Sequence, residues 1–252
     1  MTANPELVRL LRSAKAMLVF TGAGISTGSG IPDFRGPEGV WKRRQPVYYN
    51  DFLRSEAARV EHWDYKLEAW PAFREARPNA LHHAVVRLEK AGRLAGVVTQ
   101  NIDALHTRAG TSARLLVELH GTNLFVECQS CGALTDPEPH FAAFAQSRQP
   151  PVCQCGGYLK PATISFGQNL RSEDLEQAES MARQADLVVA LGSTLSVYPA
   201  ASIPLLAARN GAPYLVINRG ATDHDDFPEV TLRLEGNVLE LFPPAVDEVL
   251  GG

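Results

Sequence analysis

A glycine-rich segment near the start of the chain could bind a nucleotide. Gly22-Ala23-Gly24 follows the apolar residues 16–20. Glycines at such a position let the backbone turn tightly and approach a phosphate. The usual dinucleotide fingerprint would have a third glycine where this chain has Thr27, and an acidic residue after a second strand, which is also missing. The segment is therefore either an unusual nucleotide-binding loop or only a turn.

A second candidate segment carries amide and carboxylate side chains. Gln100-Asn101-Ile102-Asp103 follows the apolar run Leu94–Thr99. Ligands of open α/β sheets bind at the carboxyl ends of strands, and these groups suit sugar hydroxyls and a carboxamide. The alternative is a polar loop whose side chains cap a helix over residues 102–108.

One histidine stands apart from the others in its sequence context. His120 follows the apolar residues 115–119 and precedes Gly121. A neutral imidazole is the commonest general base near pH 7, although a lone histidine is more often a packed or surface residue. The remaining histidines occur in helical or loop contexts and are interpreted as structural or surface residues: His62, His82, His83, His106, His140 and His224.

The four cysteines form two close pairs. Cys128 and Cys131 are a C-x2-C pair, and Cys153 and Cys155 follow as a C-x-C pair, one residue shorter than usual. Two such pairs suit tetrahedral zinc, and four thiolates leave no open coordination position, so the metal would be structural. Free thiols are the alternative. Zinc ribbons also occur in nucleic-acid-binding proteins, so this feature does not select a function.

Alternating elements must position these residues. The hydrophobic spacing predicts helices over residues 5–15, 51–74, 79–91, 173–184, 199–209 and 238–250, and strands over 16–20, 94–99, 115–119, 187–191 and 214–217. The strands are apolar on both faces, which predicts a doubly wound parallel α/β sheet. Residues 25–41 are too irregular for either period and indicate a long functional loop. Pro243-Pro244 should break or restart the last helix.

Composition narrows the possible classes of protein. The chain has 252 residues, a length typical of one large domain or of one large and one small domain. Its net charge of -4 disfavours nucleic-acid binding. No apolar run approaches about 18 residues, and the N-terminus lacks the features of a secretory signal. We expect a cytoplasmic monomer that binds neither membrane nor nucleic acid directly.

Taken together, the motifs resemble the sirtuin family in its bacterial form. The matching segments occur in order along nearly the whole chain: GAGIS at 22–26, GIPDFRG at 30–36, TQNID at 99–103, His120-Gly121, the four cysteines, Phe166-Gly167, Gly192-Ser193, VYP at 197–199 and Ile217-Asn218. GIPDFRG and TQNID are highly specific, and chance co-occurrence in this order is negligible.

The resemblance implies an NAD-dependent protein-lysine deacylase, with deacetylation expected. A Rossmann-like domain would comprise residues 1–35, 94–125 and 160–252, a cofactor loop and helical module 36–93, and a structural zinc module 126–159. NAD and an acyl-lysine protein or peptide would meet in the cleft between them. Nicotinamide and O-acyl-ADP-ribose would leave, with His120 as the general base that takes a proton from a ribose hydroxyl and Asn101 as a second catalytic residue.

The resemblance also implies the contacts of both substrates. The cofactor contacts are Gly22, Ala23 and Gly24 in the loop, Asp33, Phe34 over the ribose carbon, Arg35 at the phosphates, Gln100 at the ribose, Asn101, Ile102 and Asp103 around nicotinamide, Gly192 and Ser193 at phosphate, Asn218 at the adenosine ribose, and Asn237 and Val238 beside adenine. The peptide would add as a strand between Phe166-Gly167 and residues 195–198, which include Val197 and Tyr198.

Some residues depart from the family pattern. Gln168 replaces a glutamate that many relatives have, which could alter the peptide cleft. Members that prefer succinyl groups pair a tyrosine with an arginine three residues on, whereas Tyr65 here is followed by Glu68. We therefore expect acetyl or longer neutral acyl groups. The alternatives are a protein mono-ADP-ribosyltransferase, a non-catalytic NAD-binding module, and a zinc-ribbon nucleic-acid binder.

Overall fold

The computed structural model describes residues 3–33 and 45–251. Its strands are β1 (Met17–Thr21), β2 (Leu94–Thr99), β3 (Leu116–Glu118), β4 (Gly121–Cys128), β5 (Leu134–Thr135), β6 (Leu159–Thr163), β7 (Leu187–Leu191), β8 (Tyr214–Asn218) and β9 (Val230–Glu235). Its helices are α1 (Pro5–Ser13), α2 (Tyr49–Arg54), α3 (Glu56–Glu75), α4 (Ala80–Lys90), α5 (Leu105–Ala109), α6 (Pro137–Ser147), α7 (Ser172–Gln184), α8 (Ser202–Arg209) and α9 (Val238–Leu250).

The larger sheet confirms the predicted parallel α/β architecture. Its strand order is β3-β2-β1-β7-β8-β9, and the neighbouring strands are parallel. Every residue of β1, β7 and β8 is buried, because helices cover both faces. Val19 packs among side chains of α1, α4 and α9, whereas Leu18 and Phe20 pack against α7 and α8. The alternation of side chains along a strand thus produces two core layers.

The smaller sheet contains Cys128 at the end of β4, and the other three cysteines lie in turns or loops beside it. It has the antiparallel order β5-β4-β6. Trp63 of α3 is fully buried against Phe141 and Phe144 of α6, and its indole Nε1 donates to the carbonyl oxygen of Leu159 at 3.1 Å. This contact fixes α3 against the small sheet.

Two helix predictions were wrong in detail. Residues 51–74 form the end of α2 and most of α3, because Ser55 is extended and caps α3 by accepting a hydrogen bond from the Ala58 amide at 3.3 Å. The expected break at Pro243-Pro244 is absent, since α9 runs unbroken from Val238 to Leu250. Its neighbouring side chain Phe242 is fully buried in the core, so packing holds the helix despite the lost backbone donors.

Three further findings concern a strand that was not predicted, the predicted long loop and the length of the helices. The strand β9 was not predicted, although Val230, Leu232 and Leu234 alternate with polar residues in the way an edge strand does. The predicted loop 25–41 is described only to Asp33, and it contains a short 3₁₀ turn at Thr27–Ser29. Within the described ranges, no helix is long and apolar enough to span a bilayer.

Candidate active site

The predicted cofactor residues lie at the carboxyl edge of the large sheet. Gly22 follows β1, Gln100 follows β2, Gly192 follows β7 and Asn218 ends β8. From β1 the chain continues to β2 and β3 on one side, and β7 begins the other half of the sheet on the other side. The strand order therefore reverses between β1 and β7, the place where open α/β sheets bind ligands.

A cavity of about 730 Å³ opens at this edge. It brings together the following predicted site residues: Gly22, Ala23, Gly24, Asp33, Gln100, Asn101, Ile102, His120, Phe166, Gly167, Gly192, Ser193, Val197, Tyr198 and Asn218. One continuous space thus contacts both the proposed cofactor segments and the proposed peptide edges, and its volume suits a ligand larger than a single metabolite ring.

The glycines of two loops allow those loops to touch. The Gly24 amide donates to the Gly192 carbonyl oxygen at 2.8 Å. A Cβ on Gly22 would lie 2.7 Å from that same oxygen, and a Cβ on Gly192, whose φ is +62°, would lie 2.7 Å from the Ile25 amide nitrogen. Glycine is therefore needed here for backbone packing between β1 and β7, besides any approach to a phosphate.

A buried network orders the amide and carboxylate side chains. Asn101 donates from Nδ2 to the Gly22 carbonyl oxygen at 3.1 Å and to Ser26 Oγ at 3.2 Å. Ser26 in turn donates to Asp103 Oδ2 at 2.7 Å, and the Leu105 amide donates to Asp103 Oδ1 at 2.9 Å. Asn101 therefore has a fixed orientation at the cavity wall, because both partners of its amide nitrogen are held by the backbone or by Asp103.

Burial raises the pKa values of two carboxyl groups on this side of the site. Desolvation raises the pKa of Asp103, while the hydrogen bonds from Leu105 and Ser26 oppose that rise. Desolvation also raises the pKa of Glu118 to about 7, and the nearby carboxylates of Asp103 and Asp174 add to the shift. This side of the site therefore disfavours further negative charge.

His120 lies where the two sheets meet. It stands between β3 and β4, is partly buried, and its Nδ1 is 3.0 Å from the carbonyl oxygen of Gln100. A carbonyl oxygen only accepts hydrogen bonds, so Nδ1 carries the proton and Nε2 is the basic nitrogen of the neutral ring. The Gln100 side chain donates to Ser193 Oγ at 2.7 Å, which joins the β2 and β7 loops beside the imidazole.

The two predicted peptide edges both line the cavity. In Phe166-Gly167, the Phe166 carbonyl oxygen accepts from the Tyr49 amide at 2.9 Å. Tyr198 of the second edge is 53% exposed. Its hydroxyl is 3.2 Å from Nε2 of the fully buried His224, so a core side chain holds an exposed residue in place.

A few predicted site residues lie elsewhere. Asp103 lies beneath the wall, in contact with Ser26, and is not a lining residue of the cavity as described. Asn237 caps α9, and neither it nor the buried Val238 lines the part of the cavity formed by residues 3–33 and 45–251. Phe34 and Arg35 lie outside the described residues.

Sequence reasoning missed several polar residues at the site. Ser26 was part of a matching motif but had no expected role, although it joins Asn101 to Asp103. Lys66 and Thr163 line the cavity and are hydrogen-bonded to each other at 3.1 Å. Residues of the helical module have no pattern that shows which side chains turn inward, so only packing could reveal them.

The four cysteines fit a zinc ion. The sulfur atoms of Cys128, Cys131, Cys153 and Cys155 all lie within 4.8 Å of one another, as four ligands about 2.3 Å from one metal require. The amides of Ser130 and Cys131 point at Cys128 Sγ, 3.5 Å away. A Cβ on Gly157 would lie 2.6 Å from the same sulfur, so the surrounding backbone is shaped around the thiolates. No other group of three or more histidine, cysteine or acidic residues in the described ranges could hold a metal.

Comparisons with known proteins agree with this geometry. The model of the Sir2 family matches residues 22–199. NAD-dependent protein deacetylase 1 of Bradyrhizobium diazoefficiens is 40% identical over 224 residues, which are 89% of this chain and 88% of that protein. An NAD-dependent protein deacetylase of Rhodopseudomonas palustris is 39% identical, with 90% of each chain covered.

Solved structures are similar over nearly the whole chain. A Sir2 complex with a p53 peptide and NAD+ has a TM-score of 0.87, with 35% identity over 98% of both chains. Sir2Tm bound to a propionylated peptide has a TM-score of 0.85, with 35% identity and the same coverage. A parallel sheet with a ligand cavity at its switch point and an attached four-cysteine module defines a nucleotide-binding α/β protein. On the sequence matches, the chain belongs to the Sir2 family.

Proposed function

We propose that this protein removes acyl groups from lysine side chains of proteins with NAD as co-substrate, and that acetyl-lysine is among its substrates. The observation that carries the proposal is the single cavity in which His120, Asn101 and the β1 and β7 glycine loops meet the two peptide edges. Relatives that cover about nine-tenths of the chain bear the name NAD-dependent protein deacetylase, and they support the reaction class.

The chain's own residues would bind and orient the two substrates. Gly22, Ala23, Gly24, Gly192 and Ser193 would lie against the phosphates, since glycines without side chains let the backbone approach an anion closely. Asn101 and Ile102 would contact the nicotinamide carboxamide, with Asp103 held beneath them through Ser26. Asp33 and Gln100 would lie beside the nicotinamide ribose and Asn218 at the adenosine ribose. We keep Phe34, Arg35, Asn237 and Val238 as predicted cofactor contacts.

His120 would act as the general base. Bound NAD supplies an electrophilic ribose carbon that accepts the acyl oxygen as nicotinamide leaves. Nε2 of His120, made basic by the Nδ1 contact with Gln100, would take the proton from a ribose hydroxyl that attacks the acyl carbon. Water completes the balance, so that free lysine, nicotinamide and O-acyl-ADP-ribose result.

The peptide and the metal would occupy the remaining surfaces. The acyl-lysine peptide would add as a strand between Phe166-Gly167 and Val197-Tyr198, with main-chain hydrogen bonds to both edges. Zinc on the four cysteines would hold β4 and the turn around Gly157 together and take no part in the reaction. We keep the domain division 1–35, 94–125 and 160–252 for the NAD-binding domain, 36–93 for the helical module and 126–159 for the zinc module, and we expect a cytoplasmic monomer without nucleic acid.

The test is nicotinamide release in the presence of an acetyl-lysine peptide. We expect His120→Ala to retain zinc and NAD binding and to lose at least about a hundredfold of the peptide-dependent rate, as general-base catalysis contributes. His83→Ala serves as the control, because His83 is exposed on α4. Substantial turnover by His120→Ala would contradict the role of His120, and label from NAD retained on the protein substrate would favour ADP-ribosyl transfer instead.

A further inference from the structure

One wall of the active-site cavity carries a buried ammonium group. Lys66 of α3 lines the cavity and is only 7% exposed. Its Nζ donates to Thr163 Oγ1 at 3.1 Å. Thr163 pairs with Gly121 across the small sheet, and the following residue, Ile164, donates its amide hydrogen to the His120 carbonyl oxygen at 2.7 Å. The ammonium is thus joined to the segment of the general base through one strand residue.

This ammonium has no carboxylate partner among the residues described. Its hydrogen bond goes to a neutral hydroxyl, and the charge that acts on its pKa is that of a second buried lysine, Lys160. The Lys160 ammonium has backbone partners instead, since its Nζ donates to the carbonyl oxygens of Pro161 and Thr163. The carboxylate that raises the pKa of Lys160 is Glu127, which is itself paired with Arg171 at 2.9 Å.

The neighbouring groups increase the cost of this unpaired charge. Burial, together with the nearby charge of Lys160, lowers the pKa of Lys66 to about 7. His62 is fully buried, and neither of its ring nitrogens has a hydrogen-bond partner in the described structure. A buried cation without an anion is destabilising, so an anion that enters the cavity next to Lys66 would gain a charged hydrogen bond and remove that cost.

We propose that the cavity also accepts acyl-lysines whose acyl group ends in a carboxylate, such as malonyl- or succinyl-lysine, and that Lys66 binds this carboxylate with the help of Thr163. The inference rests on the proposed deacylase function and names a further class of substrate for the same site. It adds to the expectation of neutral acyl groups, which came from Glu68 standing where an arginine would pair with a tyrosine. Lys66 supplies the cation from another position of the same helix.

The reaction itself is unchanged by the new acyl group. The C–N bond of the acyl-lysine amide breaks, the acyl carbon passes to a ribose oxygen of NAD, and nicotinamide leaves with consumption of one water. The distal carboxylate takes no part in the bonds that form or break. Lys66 is therefore a specificity-determining residue, and its effect should depend on the charge of the acyl group and not on its size.

The experiment compares peptides of one sequence that carry acetyl, succinyl or succinamoyl groups on the lysine. Succinamoyl has the shape of succinyl but ends in a neutral amide, so the ratio of kcat/KM for the two isolates the charge. We expect this ratio to exceed about 10 in the wild type, the effect of one charged hydrogen bond. Lys66→Met should reduce the ratio to about 1.

Two further variants keep the result interpretable. Lys160→Met removes the other buried ammonium, which is not a lining residue of the cavity as described, and should preserve the ratio. Lys66→Arg retains the charge and should also preserve it, whether or not Lys66→Met folds as stably as the wild type. A wild-type ratio near or below 1, or a high ratio that survives in Lys66→Met, would overturn the proposal. Failure of all three peptides to release nicotinamide would instead overturn the proposed deacylase function.

Discussion

Ser26 is the residue whose replacement tests the architecture of the site most directly. Its hydroxyl donates to Asp103 Oδ2 at 2.7 Å and accepts from Asn101 Nδ2 at 3.2 Å. Ser26→Ala removes both contacts, and since Ser26 is only 1% exposed, no water from bulk solvent replaces them. Asp103 would then keep the Leu105 amide as its described hydrogen-bond donor.

The size of the effect follows from the two lost hydrogen bonds. A hydrogen bond to a charged group contributes about 1.5–3 kcal/mol and one between neutral groups about 1 kcal/mol. We therefore expect the free energy of unfolding to fall by about 2–4 kcal/mol, which for a chain of this size lowers Tm by about 4–16 °C. Asn101 also loses one of its two anchors, so the Kd for NAD should rise by about tenfold or more.

The effect should depend on pH in a defined direction. Burial already raises the pKa of Asp103 above its unfolded value, and Ser26 opposes that rise. Ser26→Ala should raise the folded pKa further. A carboxyl with a raised folded pKa loses stability as pH rises from the unfolded pKa to the folded one. The difference in stability between variant and wild type should therefore be larger at neutral pH than in acid below the unfolded pKa of Asp103.

Thermal unfolding at several pH values and calorimetric titration with NAD measure both effects. Thr27→Ala is the matched control, because Thr27 is exposed and, among the described residues, its hydroxyl donates to the Gly24 carbonyl oxygen at 3.0 Å. That control should stay within about 0.5 kcal/mol of the wild type. The reasoning is refuted if Ser26→Ala behaves like Thr27→Ala in both stability and NAD affinity.

Three other perturbations probe separate parts of the molecule. Cys131→Ser should abolish zinc binding and lower Tm while NAD still binds, as metal analysis and calorimetry would show; zinc retained at full stoichiometry would contradict the four-cysteine site. Gly192→Ala should lower the free energy of unfolding by more than about 2 kcal/mol, because of strain and backbone overlap, and should weaken NAD binding. Gly220→Ala, at a φ of +82° with open space around it, should lower it by only about 1–2 kcal/mol. Equal losses of stability in denaturant unfolding would contradict the packing argument. His224→Ala should release the Tyr198 hydroxyl and raise KM for the peptide but not for NAD, and steady-state kinetics with each substrate varied would reveal a uniform effect if the link is merely structural.

Much of the fold could be predicted because the central strands β1, β7 and β8 are short, fully buried and bounded by turns. The limits of β2 and β7 were predicted to the residue, since apolar runs that end at Gln100 or Gly192 leave little choice. The break predicted at the prolines of α9 was wrong, because the packing of Phe242 and its neighbours outweighs the loss of two backbone N–H donors. The edge strand β9 was missed because its half-exposed alternation is a weaker signal than a buried run.

The sequence by itself determined the family and the parallel sheet, and it predicted the four zinc ligands and the segments of the cofactor site. These are encoded in contiguous motifs or in fixed spacings, and local chemistry is enough to recognise them. The contacts between these segments could be seen only in the tertiary structure. It showed that Gly22 and Gly192 are needed by each other's loops, and that Ser26 holds Asn101 and Asp103 together. It also turned Lys66 inward, because the direction of a side chain on an amphipathic helix depends on what packs against that helix, and no local pattern around Lys66 specifies this.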